Sequence, residues 1–392
     1  MDNERPPTVE TARSADPLEL ARLFVATPSV NPTLSSGGAG EGRMAEITAD
    51  LLAGWGLLTD VYEVAPGRPN VVARLEGSGP TLLLNGHLDT VGVEGMADDP
   101  FGAEIRQGRL YGRGACDMKG GVAALMAAAA RLREGPRPNV VVALTVDEEH
   151  GSIGMAELVR RGWEGPSPDL AVVCEPTDLS VMPAHKGFVW LRATFSGRAA
   201  HGSRPEVGVD AIRHAALYLT ALEGYRAELR ARPAHPLLGH GSFHAGVIEG
   251  GTAESVYPDR CVLTLERRTM PGESTEDVVR DFEEVLRGVG EDEPEMEAAL
   301  ETTLHRPGTE VDVDSPLVRE LRGAADDLGS PSRIEGMTAW VDAAFLNEAG
   351  VPAVCFGPGS IEQAHTDHEW VEVRQIRACA DVLERFARRL AT

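Results

Sequence analysis

Apolar runs in this chain come in two lengths, and their alternation sets out the fold. Short β-branched or leucine-rich runs, TLLLNGH (81–87), NVVVALTV (139–146) and DLAVVC (169–174), have the length and uniform apolarity of strands buried on both faces. Between them lie stretches of helical length, one from Met118 to about Leu132 that contains VAALMAAAARL (122–132) and one near 153–161. Strand and helix in alternation predict an α/β domain, a mostly parallel sheet flanked by helices. The same rhythm returns late in the chain, with helices expected near 315–328, 340–349 and 372–390 and a strand over PAVCFG (352–357).

The intervening pattern is different. From about 186 to 299 it reads strand FVWLRATFSG, a helix across 208–230, strands SFHAGVIEGG and RCVLTLERRT, a helix across 274–288 and a last strand EMEAALETT. That order, β-α-β-β-α-β, predicts a small α+β domain. The expected organisation is therefore a first α/β part over 1–185, an inserted domain over 186–299 and a second α/β part over 300–392, with no internal repeat.

A length of 392 residues suits two domains. With 37 basic against 61 acidic residues the formal charge is −24, which repels nucleic acid and anionic lipid, so neither is an expected partner. Cys116, Cys174, Cys261, Cys355 and Cys379 are odd in number and contain no CxxC pair, which argues against a disulfide framework and against a thiolate zinc site. A reducing, cytoplasmic location is the expectation. The opening MDNERPPTVETARSADPLEL is polar and acidic, without the apolar centre of a signal peptide, and no later apolar stretch has the length of a membrane span.

In open α/β sheets the functional crevice lies beyond the carboxyl ends of the strands, so the residues after each apolar run matter most. Here they are His87 and Asp89, then Asp147, Glu148, Glu149 and His150, then Glu175, and His365 after a glycine-rich loop; Asp117 precedes a helix. If the strand continues through residue 89, His87 and Asp89 share a face, and a histidine oriented by a carboxylate is a metal ligand, a general base or a satisfied core residue. Each residue alone has an ordinary explanation. Asp117 reads as an N-cap, Glu148 and Glu149 as a solvated strand end, Glu175 as a turn carboxylate before Pro176, and His365 as an exposed loop histidine. Together they crowd carboxylates at one end of one sheet, which is repulsive unless cations neutralise them. Imidazole and carboxylate donors without thiolates favour Zn²⁺, with Co²⁺ or Mn²⁺ as substitutes. The GRG of 112–114 lacks the third glycine of a dinucleotide fingerprint and the GK[ST] of a P-loop, and no GxSxG nucleophile elbow is present.

The segments NGHLDTV (85–91), GRGACDMKGG (112–121), VDEEHGSIG (146–154), CEPT (174–177), GRAAHGSRPEVGVDAI (197–212), RRTMPGE (267–273) and GPGSIEQAHTDHEWV (357–371) span most of the chain. In this order they resemble the two-zinc amidohydrolases and exopeptidases that include acetylornithine deacetylase, succinyl-diaminopimelate desuccinylase, aminoacylase-1 and the glutamate carboxypeptidase of the G2 type. The resemblance implies a zinc-exopeptidase-like catalytic domain carrying the inserted segment as a lid and dimerisation domain. It implies two Zn²⁺ per subunit: His87 and Glu175 on one ion, Glu149 and His365 on the other, and Asp117 bridging them. Asp89 would orient His87, Glu148 would be the general base, and His201 would stabilise the oxyanion, from its own subunit or from a partner in a homodimer. Arg268 would grip the substrate's α-carboxylate, with Arg267 on the opposite face of its strand.

Two positions depart from the family pattern. Ser255 stands where Asn is common beside the substrate, and Cys116 stands where Thr or Ser commonly precedes the bridging aspartate. GMTAWVDAAFL (336–346) and GPGSIEQAH resemble the deacetylase branch more than the desuccinylase branch. The expected reaction is thus amide hydrolysis of a small N-acyl amino acid, with N-acetylornithine the leading substrate and a dipeptide, an acyl-glutamate or a succinylated substrate as alternatives. A metal-containing binding protein is the non-enzymatic alternative; its mark would be loss of Glu148 or a ligand, and all are retained.

Overall fold

The runs read as buried strands lie side by side in one sheet. In the computed structural model, which describes residues 6–163, 167–330 and 332–391, Thr81–His87 pairs in parallel with both Asn139–Thr145 and Leu170–Val173, and Leu170–Val173 pairs in parallel with Ala353–Cys355. The first five residues of the polar opening stretch therefore fall outside the described part. The sheet order is Leu58–Ala65, Arg68–Leu75, Asn139–Thr145, Thr81–His87, Leu170–Val173, Ala353–Cys355, Val181–His185. The ladders of Leu58–Ala65 with Arg68–Leu75, of Arg68–Leu75 with Asn139–Thr145, and of Ala353–Cys355 with Val181–His185 are antiparallel, so the sheet is mixed around a parallel centre.

Two compact units emerge. One comprises Met1–Pro183, Val311–Glu335 and Val341–Thr392, and the other Ala184–Glu310 with Gly336–Trp340, a wider span than 186–299. In the first unit the helix Gly120–Arg131 is two-thirds Gly and Ala and is buried nearly throughout. Small residues let its backbone lie close to the sheet: a Cβ on Gly121 would meet the carbonyl oxygen of Cys174 at 2.1 Å. The helix Val373–Leu390 packs against it through Ile376, Leu383 and Phe386.

The helix expected from Met118 begins at Gly120, because a wide turn, Ala115–Lys119, precedes it with Gly114 at φ 78° and a cis Asp117–Met118 peptide bond. The helix expected over 340–349 is shorter, Ala343–Glu348.

The second unit holds a four-stranded antiparallel sheet in the order Ser242–Gly250, Arg260–Thr269, Gly187–Ser196, Glu297–Arg306. Two helices, Ala211–Ala231 and Thr275–Asp292, are N-capped by Asp210 and Ser274, whose side chains accept from the amides of Arg213 and Asp277. They bury Tyr218, Leu222 and Phe282 against Leu191, Phe195 and Leu263 of the sheet. The element order is the β-α-β-β-α-β read from the sequence. Among the described residues no helix is long and apolar enough to cross a membrane.

Candidate metal centre

His87 ends its strand level with Thr145 of the neighbouring one. Its Nδ1 lies 3.0 Å from the backbone carbonyl of Asp89 and 3.5 Å from the Asp89 carboxylate. A carbonyl only accepts, so Nδ1 carries a proton, and Nε2 faces Asp117 Oδ1, 3.2 Å away, where a neutral imidazole would have its lone pair free for a cation. The strand stops at His87, so Asp89 reaches the ring from the following turn and not from a shared strand face, which corrects the strand-continuation reading. Asp89 does more than orient the ring. Its carboxylate accepts from Asn31 Nδ2 at 2.8 Å and from the backbone amides of Glu148 and Glu149 at 3.1 and 3.2 Å, and so fixes the turn that carries both glutamates.

Asp117 stands between the two histidines. Its Oδ1 faces His87 and its Oδ2 lies 3.4 Å from His365 Nε2, which in turn is 2.9 Å from Glu149 Oε2. Donor atoms of His87, Asp117 and Glu149 all fall within 4.8 Å of one another. Glu175, at the carboxyl end of Leu170–Val173, is buried. Among the described residues, one oxygen of Glu149 and one of Glu175 are buried without a hydrogen-bond partner.

The electrostatics match this geometry. Burial raises Glu175 and Glu148 well above the carboxylate range, with Asp117 adding to the first and Glu175 to the second. Burial and the nearby Asp117 push Glu149 up to about 7. Hydrogen bonds to Asp117 and Glu149 hold His365 at about 10, and although burial opposes charge on His87, Asp117 and Asp89 hold its pKa well above the usual histidine value. Burial would likewise raise Asp117, yet the two histidines depress it. The protein thus gathers four acids around two imidazoles, with carboxylate oxygens of Glu149 and Glu175 left unsatisfied among the described residues. Divalent cations fit that donor set, satisfying the oxygens and relieving the repulsion together.

The model of Peptidase family M20/M25/M40 matches residues 83–389. The chain belongs to this family. Among its relatives, acetylornithine deacetylase of Myxococcus xanthus is 34% identical over 324 residues, covering 81% of this chain and 82% of the relative. The acetylornithine deacetylase of Vibrio campbellii is 32% identical over 379 residues, covering 94% and 97%. Solved structures share the fold: an aminopeptidase of Bacillus cereus at TM-score 0.78 and 19% identity covers 97% of this chain and 99% of its own. A dinuclear metal binding peptidase of Bacillus subtilis does so at TM-score 0.73 and 16% identity, covering 96% and 98%. This M20-family protein is a metal-dependent hydrolase of amide bonds.

Three residues of this M20-family site escaped the sequence reading. Asn31, buried, ties Asp89 to Asp147 through one side-chain amide, at 2.8 and 3.0 Å. Asp342, also buried, accepts from Thr145 Oγ1 at 3.3 Å and is raised to about 7, first by burial. Glu369 is buried against the Asp117 turn. Glu369 and Asp342 lie within GPGSIEQAHTDHEWV and GMTAWVDAAFL, which carry the family resemblance, whereas Asn31 lies in neither. Of the polar residues that follow NVVVALTV, Asp147 is engaged by Arg68 at 2.8 Å and His150 is exposed, so neither joins the metal-facing group. Cys116 is buried with its Sγ 3.2 Å from the carbonyl of Ser360, and burial pushes its thiol pKa well up, away from reactivity.

The remaining expected residues belong to the second unit. His201 forms a β-bridge with Val256, and the amide of Gly202 donates to the carbonyl of Ser255 at 2.7 Å, so the His201 and Ser255 segments run side by side, both exposed. The His201 Nδ1 is 2.8 Å from Ser203 Oγ. Arg268 donates from Nε to Glu266 Oε1 at 2.6 Å and lies over the Phe188 ring, whereas Arg267 is fully buried and engages Tyr225 and Glu273. The alternation of the two arginines follows the strand period.

Proposed function

We propose that this enzyme removes a short acyl group from an N-acyl amino acid, with N-acetylornithine the first candidate, as a cytoplasmic homodimer with two Zn²⁺ per subunit. One ion would rest on His87 and Glu175, the other on Glu149 and His365, with Asp117 between them; Co²⁺ or Mn²⁺ would substitute. The observation that carries this reading is the Asp117 carboxylate, one oxygen 3.2 Å from His87 and the other 3.4 Å from His365, among buried carboxylate oxygens that no protein donor satisfies. Metal there would polarise the amide carbonyl and lower the pKa of a water from about 15.7 toward about 7. Glu148, pushed toward holding a proton by burial and Glu175, would be the general base, holding a proton on its carboxylate and returning it to the departing amine nitrogen.

His201 donates to the oxyanion of the tetrahedral state from the inserted lid and dimerisation unit. Arg268 exchanges its Glu266 partner for the substrate's α-carboxylate, to which a guanidinium offers two parallel N–H bonds, and Ser255 lines the same substrate. The relatives named acetylornithine deacetylase support the substrate; the peptidase titles among the structural neighbours keep an exopeptidase as the second reading.

The test is turnover of N-acetyl amino acids, dipeptides and N-succinyl-diaminopimelate before and after chelation. N-acetylornithine should be hydrolysed, activity should vanish with the metal and return with Zn²⁺, and Glu148→Gln should lower kcat by about 10²–10⁴-fold with metal content unchanged. Activity indifferent both to chelation and to Glu148→Gln would sink the proposal. A dipeptide that outruns every N-acetyl amino acid would install the exopeptidase reading.

A further inference from the structure

Four residues past His365, Glu369 is a buried carboxylate used by neither the proposed chemistry nor the metal-ligand set. Its Oε1 accepts from the backbone amides of Cys116 and Asp117 at 2.9 and 3.0 Å, and its Oε2 accepts from the amide of Gly114 at 3.0 Å and from Arg113 Nη1 at 2.7 Å. Its own carbonyl accepts the amide of Gly112 at 3.1 Å. The turn from 112 to 117 therefore wraps around one side chain, with successive N–H groups pointed at an anion. The chain on either side is tied as well, because Trp370–Glu372 pairs antiparallel with Arg109–Tyr111.

We infer that Glu369 is a positioning residue for the metal centre: it sets the backbone of Asp117, the bridging carboxylate, and locks it to the loop that brings His365. Only an ionised carboxylate suits this place. Its two oxygens offer acceptor sites to four donors, whereas a Gln in the same pose turns an N–H₂ against backbone N–H groups and leaves them unsatisfied. Arg113 balances the charge but does not contact the Asp117 amide, which donates, like those of Gly114 and Cys116, to the Glu369 carboxylate.

The inference rests on the proposed ligand set, and the experiment separates the two. Purified wild type, Glu369→Gln and Arg113→Lys are stripped of metal, melted, and titrated with Co²⁺ while the visible absorption of the bound ion is followed. Wild type should take two equivalents. Glu369→Gln should bind with about 10–100-fold lower affinity and an altered Co²⁺ band, as expected when a partner that orients a ligand is lost, and its metal-free melting should stay near that of wild type. Arg113→Lys, which keeps the carboxylate and its backbone contacts, should lose much less. Wild-type affinity in Glu369→Gln overturns the inference, as do equal losses in both variants, or a Glu369→Gln chain that is unfolded without metal and so assigns the residue to the fold alone. A wild type that binds no Co²⁺ would instead defeat the ligand set itself.

Discussion

Two groups of buried carboxylates lie in the first unit, and they are treated in opposite ways. Glu41 and Asp147 surround Arg68, at 2.5 and 2.8 Å, and Glu369 faces Arg113 at 2.7 Å, so each of these acids has a guanidinium against it. Glu148, Glu149 and Glu175 follow the carboxyl ends of neighbouring strands and Asp117 lies in the Ala115–Lys119 turn, with no Lys or Arg paired to them among the described residues, and only His87 and His365 nearby. The first group builds a frame with permanent cations supplied by the chain. The second leaves its compensation to something that arrives from outside. Burying an uncompensated charge is costly, so a fold that keeps the second group is organised for binding and chemistry more than for stability.

Breaking the frame should give the largest effect. Arg68 is nearly buried, Glu41 is fully so, and the amide of Asp147 also donates to Glu41 at 3.2 Å, joining the frame to the turn that carries Glu148. Arg68→Met strands both acids and should cost about 3–5 kcal/mol in urea unfolding of the metal-free protein, with part of the loss recovered by adding Glu41→Gln. A loss below about 1 kcal/mol would show that the guanidinium is not what makes the two groups different.

How much of this was readable beforehand follows from range. The central strands announced themselves because burial on both faces demands unbroken apolar runs, and the proposed ligands His87, Glu149 and Glu175 did so because they end or closely follow those runs. The edge strand Leu58–Ala65 carries Asp60 and Glu63 among its apolar residues and is largely solvent-facing, so its sequence offers no such run. Asp342 precedes the helix Ala343–Glu348 and reads as a cap, yet its side chain makes no capping bond and turns to Thr145, 197 residues away in sequence. Asn31 likewise acts on residues 58 and 116 positions away. Contacts at such separations have no local pattern to betray them. The arginine pair shows the reverse case, since strand alternation alone separated the buried Arg267 from the partly exposed Arg268.

The unpaired group can be tested by titration. Glu149 and Asp342 are raised to about 7 in the folded protein, and His365 to about 10. A raised carboxylate means that the folded state holds a proton the unfolded chain has released, so its penalty is absent below about pH 4 and grows as pH rises through about 7. The raised histidine acts with the same sign, its stabilisation being complete below about pH 6.5 and lost as pH rises through about 10. The depressed Asp117 has the opposite sign, but its window lies in acid, below the ordinary aspartate value. Metal-free protein should therefore lose stability steadily between about pH 5 and 8, by up to about 1.4 kcal/mol per pH unit for each proton difference. Zn²⁺ at saturation should flatten or invert that slope, because binding needs deprotonated ligands. Denaturation midpoints in chelator and in Zn²⁺ across this range check the sign, and a metal-free protein that gains stability with pH would contradict it.

The smallest effect belongs to ion pairs of the second unit, which control for burial. Arg192 and Glu301 are cross-strand partners 3.0 Å apart, with side chains 47% and 61% exposed. Water already solvates both groups, so removing one strands nothing: Glu301→Gln should change urea stability by less than about 0.5 kcal/mol, and added salt should erase even that. If this exposed pair proved as costly to break as Arg68 with its two acids, pairing and not burial would govern the energetics. The contrast between the framed carboxylates and the unframed ones would then need another cause.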